Sequence, residues 1–334
     1  MIFVTGGTGL VGSHILMRLV LENKKFKALK RSTSSTSICK KVFKFYNLHD
    51  KFLQINWVEG DINDIPFLEE EISECNFIIH AAAMVSFNPR DIGTMNKVNI
   101  EGTANIVNVA LDSNIKKIAY ISSIATLARE KKSKTINESN YFENTGSESN
   151  YAISKYYAEQ EVWRASAEGI DVVIVNPSVI LGPGDWSKGS SQMFEKSYNG
   201  LSFYSEGVTG FVDVLDVSKI TIDLLFSEIV NERFIVSSEN LSYKHFFENL
   251  AIEFCQPAPK FKANKFLSEI VWRIEMIRSF FTKSNPFITK ETVISSRRKS
   301  YYSNEKIKNA LGYNFIKINS SIKKYCKFFI DDLD

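Results

Sequence analysis

The chain opens with a short apolar run that leads into Val4-Thr5-Gly6-Gly7-Thr8-Gly9-Leu10-Val11-Gly12. Gly6 permits a tight turn, Gly9 lets the backbone approach a pyrophosphate, and Gly12 lets the next helix pack closely on a sheet. The N-terminus of that helix adds free N–H groups and a partial positive charge. Because the loop joins a strand to a helix, the segment predicts a dinucleotide site rather than a merely structural turn.

Short apolar runs alternate with amphipathic stretches through the first half of the chain. Helical patterns, for example at residues 10–22 and 100–112, separate six predicted strands, which lie at 1–5, 26–30, 53–58, 76–80, 116–121 and 171–176. This alternation predicts an α/β fold, a doubly wound parallel sheet with helices on both faces. The mostly apolar strands agree with a sheet that is buried on both faces.

The pattern changes after Pro177, where residues 181–211 are rich in Gly, Ser and aromatic residues. We predict a dinucleotide-binding domain at residues 1–180 and a smaller C-terminal α/β substrate-binding lobe at 181–334. The boundary is not sharp, and the prediction includes segments beyond residue 180 that return to the first domain. A helical pattern at 266–281 is open to two interpretations, a membrane-surface or partner helix and a helix packed on the second lobe. We favour the second.

The end of the second strand bears on the choice of cofactor. Dinucleotide sites that select NAD place a carboxylate there, about 20 residues after the glycines, on the ribose 2′-OH. No Asp or Glu occurs between Glu22 and Asp50, whereas Arg31 and Ser32 directly follow the strand. A guanidinium can bind a 2′-phosphate with its planar fork. The sequence therefore predicts NADP in preference to NAD, unless Lys30 and Arg31 are only a solvated strand end.

Tyr151 and Lys155 lie four residues apart at the start of a helical pattern, and therefore on one face of the helix. A nearby cation can lower the pKa of a tyrosine, normally ~10, toward neutrality and make the phenol a usable acid or base. Ser122 and Ser123 end the fifth strand, at the edge where parallel sheets bind ligands. Each of these signals is weak when taken alone.

Together, the motifs resemble those of the extended short-chain dehydrogenase/reductase family, a Rossmann-type fold. The resemblance covers most of the chain. It rests on these segments: Gly6-x-x-Gly9-x-x-Gly12, Gly60-Asp61-Ile62, His80-Ala81-Ala82-Ala83, Asn99-x-x-Gly102-Thr103, Ser122-Ser123, Tyr151-x-x-x-Lys155, Asn176-Pro177-Ser178 and Asn304-x-Lys306-Ile307-x-x-Ala310-Leu311-Gly312-Tyr313.

The resemblance implies a role for each matching position. Tyr151 would exchange the proton, Lys155 would bind the nicotinamide ribose and depress the pKa of Tyr151, and Ser123 would hydrogen-bond the reacting oxygen. Asn99 would support a proton relay, and His80 would be structural. The implied cofactor contacts are Gly6, Thr8, Gly9, Leu10, Val11, Gly12, Arg31, Ser32, Asp61, Ile62, Ala81, Ala82, Ala83, Tyr151, Lys155, Pro177, Ser178 and Val179.

Three features favour one branch of this family, the dihydroflavonol reductases and hydroxysteroid dehydrogenases. Ile124 and Ala125 stand where sugar dehydratases carry an acidic pair, and residues 181–215 contain no Arg to bind a sugar diphosphate. The same segment contains six aromatic residues, which would suit an apolar ligand or ordinary packing equally well: Trp186, Phe194, Tyr198, Phe203, Tyr204 and Phe211. We expect hydride transfer between NADP and a carbonyl or alcohol of a mainly apolar molecule. The alternatives are an NAD-dependent sugar epimerase or dehydratase and a non-catalytic NADP-binding regulator.

Composition excludes several other classes. A net charge of +3 gives no reason to expect nucleic acid or a membrane as a partner, and the four scattered cysteines form no C-x-x-C pair, so we expect no metal site. No targeting segment and no apolar run of about 18 residues is evident. We expect a soluble, cytoplasmic protein that acts on a small molecule, with a homodimer as a family-based possibility.

Overall fold

The computed structural model describes residues 1–127, 135–146, 148–282 and 289–333. Their strands, numbered in chain order, are β1 (Ile2–Thr5), β2 (Phe26–Lys30), β3 (Trp57–Glu59), β4 (Phe77–His80), β5 (Lys117–Ile121), β6 (Thr135–Ile136), β7 (Asp171–Pro177), β8 (Val179–Leu181), β9 (Phe203–Tyr204), β10 (Val208–Asp213), β11 (Glu232–Val236), β12 (Glu239–Ser242), β13 (Phe261–Lys262) and β14 (Tyr301–Tyr302).

The α-helices of the described residues are α1 (Leu10–Leu21), α2 (Ser37–Phe45), α3 (Ile65–Ile72), α4 (Ile92–Asn96), α5 (Gly102–Leu111), α6 (Asn150–Ala167), α7 (Gln192–Tyr198), α8 (Val214–Phe226), α9 (Tyr243–Glu253), α10 (Lys265–Thr282), α11 (Lys290–Ser295), α12 (Glu305–Leu311) and α13 (Ile318–Asp331). A π-helical segment, Lys97–Glu101, joins α4 to α5.

Seven parallel strands form the main sheet in the order β11-β7-β5-β4-β1-β2-β3. The chain winds from β1 outward to β3 and then crosses back to β4 on the other side of β1. The strand order therefore reverses between β1 and β4, and a doubly wound sheet binds ligands at the carboxyl ends of the strands at such a point. The predicted fold class is confirmed.

Both faces of the sheet are covered, as the apolar strands require. Val173 and Val175 of β7 pack with α1, α2 and α8 on one face, whereas Val172 and Ile174 pack with α3, α5 and α6 on the other. Successive side chains of a strand point to opposite faces, so the uninterrupted apolar run of β7 contributes to both cores.

Two of the predicted elements begin at a different residue from the observed ones. Residues 49–54 form a 3-10 helix and β3 begins only at Trp57, so the prediction of a strand at 53–58 is wrong in its first half. Leu53 is 85% exposed and has no sheet neighbour to pack against. The helix predicted at 100–112 begins with the last two residues of the π-helical segment before α5.

The chain beyond residue 180 contributes to two parts of the fold. Strand β11 extends the main sheet beside β7, and α8 packs on that sheet through Val217, Ile220 and Leu224. Strands β8, β10 and β12 form a separate three-stranded sheet, and α7, α9 and α13 pack around a third apolar core. Segments of the second half thus return to the first sheet.

Candidate active site

The glycine loop leaves the carboxyl end of β1 at the point where strand order reverses. Gly6 has a φ of +74°, a conformation that L side chains rarely adopt, and a Cβ on it would lie 2.5 Å from the backbone of Ala81. A Cβ on Gly12 would lie 2.0 Å from the carbonyl oxygen of Gly6. Both glycines are therefore required by the close packing of the loop on α1 and on the segment after β4.

Gly9 differs because it faces solvent and not the protein. It is exposed, it is the N-cap of α1, and a Cβ there would meet only ordinary contact distances. Within the described part of the chain, no side chain caps α1 and its first turn has no acidic residue. The first N–H groups of α1, beside the partly exposed Thr8, Leu10 and Val11, fit a phosphate group.

The other predicted cofactor positions lie along the same edge of the sheet. Ala81, Ala82 and Ala83 follow β4 directly, and the Ala82 N–H donates to the Thr5 hydroxyl over 3.2 Å. Asp61 follows β3 and accepts hydrogen bonds from Asn63, while Ile62 is buried against Gly102.

The end of β2 presents one arginine to solvent. Lys30 forms an ion pair with Glu59, in which the ammonium nitrogen of Lys30 lies 2.5 Å from a carboxylate oxygen of Glu59. Arg31 is exposed, and its Nε donates to the Ser34 hydroxyl over 3.4 Å; Ser32 is exposed beside it. The guanidinium is therefore positioned at the rim without a carboxylate partner among the described residues.

Tyr151 and Ser123 are brought together from distant parts of the chain. Ser149 caps α6 by accepting from the Ala152 N–H, which places Tyr151 in the first turn, and Ser123 follows the end of β5. Burial raises the pKa of Tyr151 above 10, and a hydrogen bond with Ser123 opposes that rise. The rings of Phe87 and Tyr151 pack edge to face, with 6.0 Å between their centroids. A phenol, a hydroxyl and an apolar ring thus share one site.

Lys155 lies one turn further along α6 and is fully buried. Its ammonium group donates to the Tyr120 hydroxyl over 2.6 Å and to the Ile121 carbonyl over 2.7 Å. Burial lowers the pKa of Lys155 to about 7, against the opposing effect of Glu159. The expected depression of the Tyr151 pKa by Lys155 is not found in this arrangement, because the ammonium group is directed at Tyr120 and burial has the larger effect on Tyr151.

Glu159 is a buried carboxylate at the centre of the hydrogen bonds that support the site, and no role is predicted for it from the sequence. Oε2 accepts from Ser122 at 2.5 Å, from Thr126 at 2.9 Å and from Asn176 at 2.9 Å. Oε1 lies 3.2 Å from the guanidinium of Arg233. Its spacing of four residues after Lys155 and eight after Tyr151 was the available signal, because that spacing places all three on one helix face.

Asn99 is buried and connects the segment after β4 to α6. Its Nδ2 donates to the Met84 carbonyl at 3.0 Å and the Ser154 hydroxyl at 2.9 Å, and its Oδ1 accepts from the Met84 N–H at 2.7 Å. Both amide hydrogens and the oxygen therefore have protein partners. The geometry supports positioning of α6 by the Asn99 side chain rather than a proton relay through it.

His80 is fully buried in a chain of hydroxyl groups. The Thr5 hydroxyl accepts a hydrogen bond from the Ala82 N–H, so its own hydrogen can be donated to His80 Nδ1 over 2.6 Å. The Thr103 hydroxyl donates its hydrogen to the Asn99 carbonyl, so it can accept one from His80 Nε2 over 3.0 Å. Burial, and to a smaller extent Lys155, lowers the pKa of His80 to about 3. The ring is therefore neutral with its hydrogen on Nε2, in agreement with a structural role.

The segment after β7 is more enclosed than a cofactor cover requires. Pro177 ends β7, and Ser178 is 5% exposed with its backbone N–H donating to the Val236 carbonyl at 3.1 Å. Val179 begins β8 and is partly exposed. Of these three predicted contacts, Val179 is the most accessible.

The aromatic residues of 181–215 do not form one ligand pocket. Trp186, Phe194 and Tyr198 pack edge-on against α13, α9 or each other, and Phe211 stacks on Phe246 at 4.5 Å. Phe203 and Tyr204 pair with β13. Packing within the second lobe therefore accounts for Trp186, Phe194, Tyr198 and Phe211, whereas Phe203 is 45% exposed. This favours the packing interpretation for these four side chains.

Residues 2–218 match the NAD dependent epimerase/dehydratase family. The chain belongs to this family. The chain is similar to a protein named putative dihydroflavonol 4-reductase from Synechocystis, to which it is 29% identical over 93% of this chain and 89% of that protein's length. Sterol demethylase protein B from Methylococcus capsulatus is 22% identical over 85% of this chain and 84% of its own length. The crystal structure of gox2253 superposes with a TM-score of 0.82 at 26% identity, covering 99% of this chain and 98% of that one.

Membership of the epimerase/dehydratase family confirms the resemblance stated from the sequence and the prediction of an NAD(P)-dependent oxidoreductase. No helix among the described residues is long and apolar enough to cross a membrane. The same residues contain no group of three or more His, Cys, Asp or Glu side chains suited to a metal ion.

Proposed function

We propose that the protein reduces the carbonyl group of a mainly apolar small molecule with NADPH, or catalyses the reverse oxidation. The observation that carries this proposal is the convergence of Ser123 and Tyr151, in which the hydroxyl of Ser123 lowers the pKa of Tyr151, with Lys155 one helical turn further on. Ser123 follows β5, two strands from the glycine loop after β1, a separation of about 10 Å. A nicotinamide whose diphosphate rests on that loop can reach this site.

Each of the three side chains has a distinct task in the proposed reaction. The reduced nicotinamide, when bound, supplies a hydride to the carbonyl carbon. Ser123 donates a hydrogen bond to the carbonyl oxygen, and Tyr151 gives that oxygen its phenolic proton, so that an alcohol forms. The Lys155 ammonium group binds the ribose hydroxyls and, once near Tyr151, stabilises the phenolate that remains.

Arg31 supports NADP as the cofactor. Its guanidinium stands at the exposed end of β2, the neighbour of the strand that leads into the glycine loop. Lys30 forms an ion pair with Glu59 at the same end of the sheet. A 2′-phosphate would therefore meet a planar cation, and the negative charge of Glu59 is already paired.

Three observations support an apolar substrate. The Phe87 ring contacts Tyr151, and Val85 in the same loop is 55% exposed. The relatives' names specify a dihydroflavonol and a sterol, and both molecules are built on several carbon-rich rings and carry no phosphate. Residues 181–215 also contain no arginine for a sugar diphosphate.

A sugar epimerase or dehydratase with retained NAD is the second candidate, because the family is named for those reactions. The cofactor carried through purification separates the two. NAD extracted from the denatured protein favours the epimerase, whereas a protein that binds added NADPH reversibly favours the reductase.

The test of the proposal is a screen of carbonyl compounds in which NADPH absorbance is followed. Tyr151→Phe should lower kcat by at least about a hundredfold, because general acid catalysis contributes that much. Tyr157→Phe is the matched control, since Tyr157 lies on the same helix with half its surface exposed. Turnover that survives Tyr151→Phe unchanged would show that the phenol is not the acid. Turnover of no carbonyl compound by the wild-type protein would contradict the reductase, and the retained cofactor would then separate the epimerase from a non-catalytic regulator.

A further inference from the structure

Helix α10 lies on the protein by one narrow face. Ser268 is 9% exposed, and Val271, Trp272 and Glu275 are partly buried. At 100° per residue these four positions fall on one side of the helix. The opposite side therefore has no protein to cover it among the described residues.

That opposite side is apolar at its centre. Ile270, Ile274 and Ile277 are spaced by four and three residues, form one stripe, and are 39%, 60% and 56% exposed. Arg273 and Arg278 border the stripe on either side, and both are exposed. Their partners Glu269 and Glu275 lie further round the helix, away from the stripe. We call this surface, made by Ile270, Arg273, Ile274, Ile277 and Arg278, the isoleucine face.

The sequence around the isoleucine face is strongly basic. Residues 260–299 contain ten Lys or Arg and three Glu, a net charge of +7. Because the whole chain carries only +3, the remainder carries −4. The weak total charge therefore conceals a cationic segment, and that segment contains the exposed apolar stripe. Phe261, just before α10, adds an aromatic ring that is 60% exposed.

We propose that the isoleucine face docks on the headgroup region of an anionic phospholipid bilayer. An exposed apolar stripe, bordered by arginines that can reach the phosphates, is the pattern of a helix that lies in the membrane interface. A soluble protein partner would need no such excess of positive charge, whereas anionic lipid attracts it directly. This departs from the expectation drawn from net charge, which averages over the whole chain.

The docking surface is connected to the candidate active site. Helix α11 packs against α10, and Glu291 of α11 accepts from Asn150 Nδ2 at 2.7 Å, next to Tyr151. Docking would therefore hold the start of α6 close to the lipid surface. If the proposed function is correct, an apolar substrate dissolved in the bilayer would reach the cleft without crossing water.

Vesicle flotation of the full-length protein tests the docking without any turnover. We expect the protein to float with vesicles of equal parts phosphatidylcholine and phosphatidylglycerol, much less with phosphatidylcholine alone, and less as salt is raised. Ile274→Ser with Ile277→Ser should lower the partition coefficient roughly tenfold or more, because both apolar side chains leave the interface. The single variant Ile274→Ser should give an intermediate loss.

Ile252→Ser is the matched control, because Ile252 is 70% exposed on α9, outside the isoleucine face. Circular dichroism should show unchanged folding in every variant. A wild-type protein that ignores anionic vesicles, or a double variant that binds them as well as the control, would overturn the proposal. A homodimer that the double variant dissociates, with no vesicle binding, would assign the face to a second copy. Failure of the carbonyl screen leaves these outcomes unaffected, so the two proposals fail separately.

Discussion

At the scale of single residues, the adjacent Ser122 and Ser123 show how neighbouring side chains acquire different surroundings. Both follow β5, but Ser122 is 3% exposed and donates to buried Glu159, whereas Ser123 is close enough to Tyr151 to lower its pKa. The choice of Ser123 as the group that binds the reacting oxygen stays a prediction, and this geometry favours it. The physical reason is the alternation of side chains at the end of β5, which turns the two hydroxyls in different directions.

Glu159 should control the ionisation of Lys155. Burial lowers the pKa of Lys155 to about 7, and the negative charge of Glu159 opposes that shift. The ammonium form, to which we assign ribose binding in the proposed function, is present below this pKa and is lost as pH rises through it. We expect kcat/KM for NADPH to fall above about pH 7, and Glu159→Gln to move that fall to lower pH. A pH profile of kcat/KM checks this, since it reports groups of the free enzyme.

Glu161→Gln is the control for this prediction, because Glu161 lies on the same helix in a surface ion pair with Arg164. An unmoved pH profile in Glu159→Gln, with reduced stability alone, would assign Glu159 a purely structural role.

Arg31 should determine the preference for NADPH over NADH. Replacing it with Ala removes the cation available to a 2′-phosphate, and a charge-assisted hydrogen bond contributes roughly 1.5–3 kcal/mol. We therefore expect Arg31→Ala to weaken NADPH binding about tenfold or more and to leave NADH binding nearly unchanged. Fluorescence titrations with both cofactors measure this, with Lys40→Ala on exposed α2 as the control. Equal affinity of the wild-type protein for the two cofactors would remove the basis for the NADP assignment.

At the scale of elements, the C-terminus of α8 depends on a side chain from β5. The buried ammonium group of Lys117 donates to the carbonyls of Leu224 at 2.7 Å, Ser227 at 2.8 Å and Ile229 at 2.6 Å. One cation thus satisfies three carbonyls beyond or within the last turn of the helix, where backbone acceptors lack partners. This contact also fixes α8 on the main sheet.

Lys117→Met should destabilise the fold, because it leaves these carbonyls without their donor. We expect the free energy of unfolding to fall by roughly 2–4 kcal/mol. Chemical denaturation measures it, and Lys116→Met is the control, since Lys116 is the exposed neighbour in the chain. If the free energy of unfolding falls equally little in both variants, solvent must donate hydrogen bonds to these carbonyls in place of Lys117.

At the scale of the whole molecule, the two halves of the chain are interleaved. Strand β11 and helix α8 complete the first sheet from beyond residue 180, and Arg233 of β11 reaches Glu159 behind the candidate site. We therefore propose that the division at residue 180 marks a change of composition and not an independent folding unit. The net charge is also unevenly distributed over the whole molecule, because residues 260–299 are basic and the rest of the chain is net acidic.

The sequence by itself determined the parallel sheet, the glycine loop and the helix that carries Tyr151 and Lys155, because each depends on local spacing: apolar runs, three glycines and an i, i+4 pair. Only the tertiary structure decided that Ser123 lies beside Tyr151 and that Glu159 binds Ser122, Thr126, Asn176 and Arg233. It also placed Trp186, Phe194, Tyr198 and Phe211 in or against a core. It also decided which face of α10 stays exposed. These features depend on which distant segments come into contact when the chain folds, and the spacing of residues within one segment does not determine those contacts.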